Sequence, residues 1–142
     1  MYAMRAYQQY RLTEAQTADR GDLVVMLYQG ATKYLVLALS ALKGGNVEEA
    51  HNNLLRGQDI IVELMASLNT EAGDISAKLF DIYEYMHHRL VQANLKKDAQ
   101  PVEEVLELLR ELLPAWQQAA RQWRESRLGA TPPMEGKLSC VG

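Results

Sequence analysis

Two pairs of side chains in this chain have the spacing of metal ligands. Glu48 precedes His51, and Glu84 precedes His87, by three positions each. On a helix, residues three apart share a face, so each pair could present a carboxylate and an imidazole together. Two such pairs, with one glutamate from each of two further helices, form the metal site of di-iron helical bundles. The chemistry to consider first is therefore that of a metal-dependent enzyme.

Two features of the sequence argue against that chemistry. The first predicted helix has no carboxylate between Leu23 and Lys43, so one ligand is missing. Glu48 and Glu84 also fall outside the apolar stripes of their helices, whereas a metal ligand in a bundle must point inward. The chain has no glycine-rich phosphate loop, CxxC pair or GxSxG motif. We predict that the protein is not an enzyme and binds no metal or cofactor.

Composition places the chain among ordinary globular proteins. It has 142 residues, of which 48% are apolar and 23% charged, which suits one domain with a real core. Its net charge of -3 gives no electrostatic case for nucleic acid. The N-terminus has no signal-peptide pattern, and Gln29, Thr32 and Lys33 interrupt the longest apolar helix. With Cys140 as its single cysteine, the sequence predicts a cytosolic protein without a membrane-spanning segment.

Four amphipathic helices are predicted, separated by short turns. The first runs from about Asp19 to Lys43, with Thr17 or Asp19 as its N-cap, and the Gly44–Gly45 pair ends it. Asn46 caps the second helix, Asp74 the third, and Pro101 takes the first position of the fourth. Short connections between four amphipathic helices predict an all-α fold, an antiparallel up-down four-helix bundle.

The apolar stripes of the last three predicted helices define their buried faces. The second helix has its stripe at Val47, Ala50, Leu54, Ile61, Leu64, Met65 and Leu68. The third helix has its stripe at Ile75, Leu79, Ile82, Met86, Leu90 and Ala93. The fourth has its stripe at Val102, Val105, Leu109, Leu112, Trp116, Ala119 and Trp123. Pro114 lies inside this helix, where it removes a backbone hydrogen bond and predicts a kink.

The two ends of the chain are predicted to lie outside the bundle. Residues 1–16 contain aromatic side chains without a helical stripe, so we interpret them as an N-terminal arm. Residues 17–127 form the bundle, and residues 128–142 have the glycine and proline content of a disordered tail.

The helices carry more apolar residues than one stripe each can use. Leu23–Tyr28 and Tyr34–Leu39 are almost continuously apolar, and further apolar residues lie beside the other three stripes: Leu55, Ile60, Phe80, Tyr83, Tyr85, Val91, Leu106, Leu108 and Leu113. Any one of these residues could be ordinary core or an isolated exposed side chain. As a set, they predict an apolar surface that binds a partner.

Several separated segments resemble the FliS family of flagellar export chaperones. The third helix carries the family's order of Tyr83, Tyr85, Met86, Arg89, Leu90, Ala93, Asn94 and Asp98. The segments LVVMLYQG (23–30) and GQDIIVELMASLN (57–69) are similar to its first and second helices. Ala115–Trp116 matches a pair in its fourth helix, and AYQQ (6–9) resembles its N-terminal arm. The resemblance extends from about residue 6 to about residue 125.

This resemblance implies a function. Members of the family bind the disordered C-terminal segment of flagellin in the cytosol, prevent its premature polymerisation and keep it competent for type III flagellar export. The residues expected to line or support the flagellin groove are Tyr28, Ile60, Leu64, Tyr83 and Trp116. Each of them could equally be plain core. Other flagellar regulators or export components are further candidate partners.

Tyr7, Tyr10 and Leu12 of the arm are candidates for a cap that covers the groove when flagellin is absent. The alternative is a frayed terminus with incidental tyrosines. For the whole protein, the alternative function is that of a helical adaptor or self-assembling bundle without flagellin specificity.

Overall fold

The structure, a computed structural model, describes residues 20–68 and 73–128, together with the side chains there except those of Arg20, Trp123 and residues 126–128. These residues form four α-helices: α1 (Arg20–Lys43), α2 (Val47–Ser67), α3 (Asp74–Lys96) and α4 (Ala99–Leu128). Each helix packs against the next, and α4 packs back against α1. The prediction of an all-α four-helix bundle is confirmed.

Contacts between distant residues show that neighbouring helices are antiparallel. Arg124 near the end of α4 pairs with Asp22 at the start of α1, while Lys43 at the end of α1 lies 3.5 Å from Glu103 at the start of α4. On the opposite side, His51 Nδ1 of α2 lies 3.2 Å from Asn94 Oδ1 near the end of α3. The bundle is therefore a ring of four helices with alternating direction.

The turn between α1 and α2 has the predicted chemistry. Gly45 has a φ of +76°, and the Asn46 N–H donates to the Ala41 carbonyl over 2.8 Å, which closes α1 with a Schellman motif. The Asn46 side chain then accepts from the Glu49 N–H at 3.2 Å and donates to the Glu49 carboxylate at 3.0 Å. Asn46 is confirmed as the N-cap of α2.

The starts of α3 and α4 differ from the sequence prediction. Asp74 is the first residue of α3 rather than its cap, because Gly73 takes that position with a φ of +91° and no side-chain hydrogen bond. Asp98 Oδ1 accepts from the Gln100 N–H at 3.0 Å, so α4 begins at Ala99 and Pro101 is its third residue. Proline is tolerated there because the first turn of a helix has no backbone acceptors for its N–H groups. The predicted caps Thr17 and Asp19 lie outside the described residues.

The sequence raises one question about α1 and one about α4: whether α1 crosses a membrane, and how Pro114 affects α4. By length and composition, Gly21–Lys43 is apolar enough to cross a membrane, a test that the core helix of a soluble bundle also passes. Leu27, Ala31 and Leu35 of this helix are buried in the bundle core. In α4, the helix continues through the exposed Pro114 to Leu128 without interruption.

Candidate partner-binding site

A polar cluster on the surface connects α3 to α4 near the end of α3. Glu104 accepts two hydrogen bonds from α3: Oε1 from Arg89 Nε at 2.7 Å, and Oε2 from the Tyr85 hydroxyl at 2.8 Å. Arg89 also donates to Gln92 Oε1 at 2.7 Å. The bond from Arg89, followed by that from Tyr85, lowers the pKa of the Glu104 carboxyl group. We call Tyr85, Arg89 and Glu104 the polar cluster.

Beneath the polar cluster, the interface between α3 and α4 is closed. Met86, Leu90 and Ala93 of α3 are completely buried. Val102 and Val105 of α4 are also completely buried, and Leu109 is 1% exposed. These residues belong to the predicted stripes, which are confirmed in this half of the interface.

The other half of the same interface is open. One to three turns before the polar cluster, α3 carries Ile82, Leu79 and Ile75 in phase with its buried residues, yet Ile75 is 72% exposed and the other two are half-buried. Since the helices are antiparallel and in contact at Glu104, the α4 residues level with them are Leu108, Leu112 and Trp116, all half-buried. We call these six residues the α3–α4 apolar surface.

Three aromatic side chains meet in the core behind this surface. The Tyr28 and Tyr83 hydroxyls are 2.7 Å apart, and Trp116 Nε1 donates to the Tyr28 hydroxyl at 3.2 Å. The two phenol rings are edge-to-face, with centroids 6.2 Å apart. Burial raises the pKa of both phenols, so both stay protonated at neutral pH. We call Tyr28, Tyr83 and Trp116 the aromatic cluster, which joins α1, α3 and α4.

Side-chain size explains why one half of the interface is closed and the other open. The closed half lies at the end of the bundle where small residues, among them Ala38, Ala50 and Ala93, fill buried positions. The aromatic cluster occupies the core next to the open half. Because the distance between packed helices depends on the side chains at the contact, we attribute the open half to the larger volume of these three rings.

The predicted groove residues divide into two groups. Tyr28, Ile60, Leu64 and Tyr83 are completely buried, so they can support a binding surface but cannot touch a partner in this conformation. Trp116 is half-buried and reaches the α3–α4 apolar surface. The cap candidates Tyr7, Tyr10 and Leu12 lie outside the described residues.

The predicted surplus of apolar residues is only partly exposed. Val36, Leu37, Leu55, Phe80 and Tyr85 are between 39% and 45% exposed. Ile60, Tyr83 and Leu106 are instead buried core. Sequence reasoning also missed Ile75, Leu79 and Ile82 as surface candidates, because their spacing is identical to that of the buried residues that follow them. The prediction that Val47 and Ile75 belong to buried stripes is wrong: Val47 is 57% exposed.

The residues of the two Glu-x-x-His pairs do not meet at a common point in the core. Glu48, His51 and Glu84 are exposed, and His51 contacts Asn94. Within residues 20–68 and 73–128, no group of three or more His, Cys, Asp or Glu side chains is placed to hold a metal ion.

The sequence of this chain is similar to those of known proteins over most of its length. Residues 3–123 match the family model for the flagellar protein FliS. The flagellar secretion chaperone FliS of Bacillus subtilis is 36% identical over 92% of this chain and 97% of its own length. That of Salmonella typhimurium is 38% identical over 87% and 96%, and that of Vibrio cholerae 32% identical over 82% and 87%. Since the match covers all four helices up to Trp123, the chain belongs to the FliS family of flagellar secretion chaperones.

Proposed function

We propose that this protein is a cytoplasmic chaperone, and not an enzyme, that binds the disordered C-terminal segment of flagellin. Binding prevents flagellin from polymerising prematurely and keeps it competent for type III flagellar export. The observation that carries the proposal is the α3–α4 apolar surface, where positions in phase with the core are half-buried or, at Ile75, largely exposed. Family membership supports the flagellar context of the partner.

The physical properties of this surface suit a segment that folds on binding. An amphipathic helix buries its apolar face in a groove between two helices through side chains spaced three and four residues apart. Ordering a disordered segment costs about 2–5 kcal/mol or more, so a large apolar area must be buried in return. Ile75, Leu79 and Leu112 offer aliphatic area for that purpose, and the exposed Val36 and Leu37 of α1 could extend the contact around the bundle.

The first experiment compares two substitutions on α3. Ile75→Ser removes the most exposed residue of the α3–α4 apolar surface, whereas Leu95→Ser removes a residue that is 80% exposed at the other end of the helix. Both changes delete exposed aliphatic area, so neither should unfold the protein. Calorimetric titration with a peptide of the last ~40 residues of the cognate flagellin, roughly 60 Å long as a helix, measures the effect.

We expect saturable binding by the wild type with a negative heat-capacity change. Ile75→Ser should weaken it about tenfold, and Leu95→Ser should leave it unchanged. If the folded wild type binds no peptide at several temperatures, the flagellin proposal is wrong. Self-association in light scattering would then favour the alternative, a self-assembling bundle. Equal affinities in the two variants would instead exclude the α3–α4 apolar surface as the contact.

We also propose that the N-terminal arm covers part of the flagellin groove through Tyr7, Tyr10 and Leu12. The first described helix, α1, begins at Arg20, and the contact of Asp22 with Arg124 places its start at the end of the bundle that carries the open half of the interface. Removal of residues 1–16 should therefore tighten peptide binding or leave it unchanged. A large loss of affinity would make the arm a direct binding element.

A further inference from the structure

We propose that Tyr28 is a positioning residue for Trp116, and that Trp116 is the specificity-determining contact of the α3–α4 apolar surface. The hydrogen bond from the indole to the buried Tyr28 hydroxyl fixes the orientation in which the indole meets a partner's apolar side chain. This inference rests on the proposed function and deepens it. It assigns separate roles to Tyr28 and Trp116, which were predicted from the sequence as members of one set of groove residues.

The geometry gives Trp116 one end in the core and one end at the surface. Trp116 packs against the core cluster but is half-buried, while Tyr28, whose hydroxyl oxygen accepts the indole N–H, is completely buried. An indole N–H that leaves water must find an acceptor, because an unpaired buried donor is costly. Among the described residues, the acceptor at 3.2 Å is the Tyr28 hydroxyl. The acceptor is itself held in place by its bond to Tyr83.

The indole needs such an anchor because its surroundings are open. A tryptophan in a closed core is held in one rotamer by the side chains packed around it. At Trp116, the α3 residues at the same level are Leu79 and the largely exposed Ile75, and the Trp116 side chain is itself only half-buried. The hydrogen bond to α1 therefore supplies an orientation that packing alone does not. A preoriented ring lowers the entropy that binding would otherwise cost.

The chain provides a matched control for this role. Tyr28 and Ile61 are both completely buried, and each loses one heavy atom when Tyr28 is replaced by phenylalanine or Ile61 by valine. Tyr28→Phe removes the acceptor of Trp116. Ile61→Val removes one carbon from the core on α2, a helix that contributes no residue to the α3–α4 apolar surface. A role in core stability alone predicts similar effects on binding, whereas a positioning role predicts different ones.

The experiment combines binding with an observation on Trp116 itself. The flagellin peptide of ~40 residues is titrated into the full-length variants at a temperature below every melting transition. In parallel, the indole 1H–15N signal of Trp116 is recorded in each free variant and assigned by comparison with Trp123→Phe. We expect Tyr28→Phe to shift this signal and to weaken binding about tenfold, while Ile61→Val changes the affinity by less than about threefold.

A double-mutant cycle tests whether Tyr28 acts through Trp116. Trp116→Phe should weaken binding as Tyr28→Phe does, and adding Tyr28→Phe to it should cause little further loss, because the bond is already absent. This variant also keeps the test valid if Tyr28→Phe fails to fold. Equal losses in Tyr28→Phe and Ile61→Val, or additive losses in the cycle, would overturn the positioning role. No binding by the wild type would overturn the proposed function, and an unshifted Trp116 signal in Tyr28→Phe would overturn the positioning role independently.

Discussion

The two halves of the α3–α4 interface have the same apolar spacing and opposite accessibility. In the closed half, Met86 and Leu90 are completely buried beneath the polar cluster. In the open half, Ile75 and Leu79 occupy equivalent positions three to four residues apart on the same helix, and Ile75 is 72% exposed. The periodicity of apolar residues therefore determines which face of a helix points toward its neighbour. It does not determine how closely the neighbour approaches.

The approach of the helices depends on what lies between and beside them. Ala93 and the polar cluster hold α3 against α4 at one end, whereas the aromatic cluster occupies the core next to the other end. The open half can thus be understood as a consequence of three large side chains at one level of the core.

Truncation of equivalent residues in the two halves should produce the largest difference in the free energy of unfolding. Leu90→Ala leaves a cavity in the closed half and should lower the free energy of unfolding by about 2–5 kcal/mol. Ile75→Ala removes exposed area and should change it by about 0.5 kcal/mol or less. Urea denaturation of both variants measures the difference. A cost above about 2 kcal/mol for Ile75→Ala would show that the open half is closed in solution.

Enlargement of alanine should show the same contrast with a smaller effect. Ala93→Leu inserts a side chain where α3 is completely buried and should cost about 1–3 kcal/mol through overpacking. Ala115→Leu adds the same atoms at an exposed position of α4 beside Trp116 and should be nearly neutral. Thermal unfolding followed by circular dichroism compares the two. Similar melting temperatures would contradict the explanation based on side-chain size.

Loss of the polar cluster should have the smallest effect, and one that depends on pH. Because the Glu104 pKa is lowered in the folded protein, its contribution to stability is present above the ordinary carboxyl pKa and is lost as the pH falls through the folded value. Glu104→Gln should therefore lower the melting temperature slightly at pH 7. The difference from the wild type should shrink below about pH 4. A difference that stays constant down to acidic pH would mean that the charge of Glu104 is not involved.

Much of the fold could be predicted from the sequence. The Gly44–Gly45 pair and Asn46 determined the first turn, because each performs a local task that few other residues perform as well. The start of α3 was predicted less accurately. Asp74 is a residue type that often caps helices, but Gly73 holds the cap position and supplies a backbone conformation rather than a side-chain hydrogen bond.

The candidate site was harder to predict than the fold. Tyr28, Ile60, Leu64 and Tyr83 were selected from helices with too many apolar residues, and all four are buried. Ile75 was assigned to the core because its spacing is that of a core residue. Whether such a residue is covered depends on the separation of two helices, which results from aromatic side chains on three different elements. Trp116 was the one candidate that reaches the surface.

The contact that closes the helical ring joins the first helix to the last. Asp22 pairs with Arg124, and Tyr28 receives its hydrogen bond from Trp116, so α1 depends on residues that the ribosome adds about a hundred positions later. During synthesis, α1–α3 can pair through local turns, but their aromatic side chains remain exposed until α4 emerges. The nascent chain therefore acquires its cooperative core only after α4 has been synthesised.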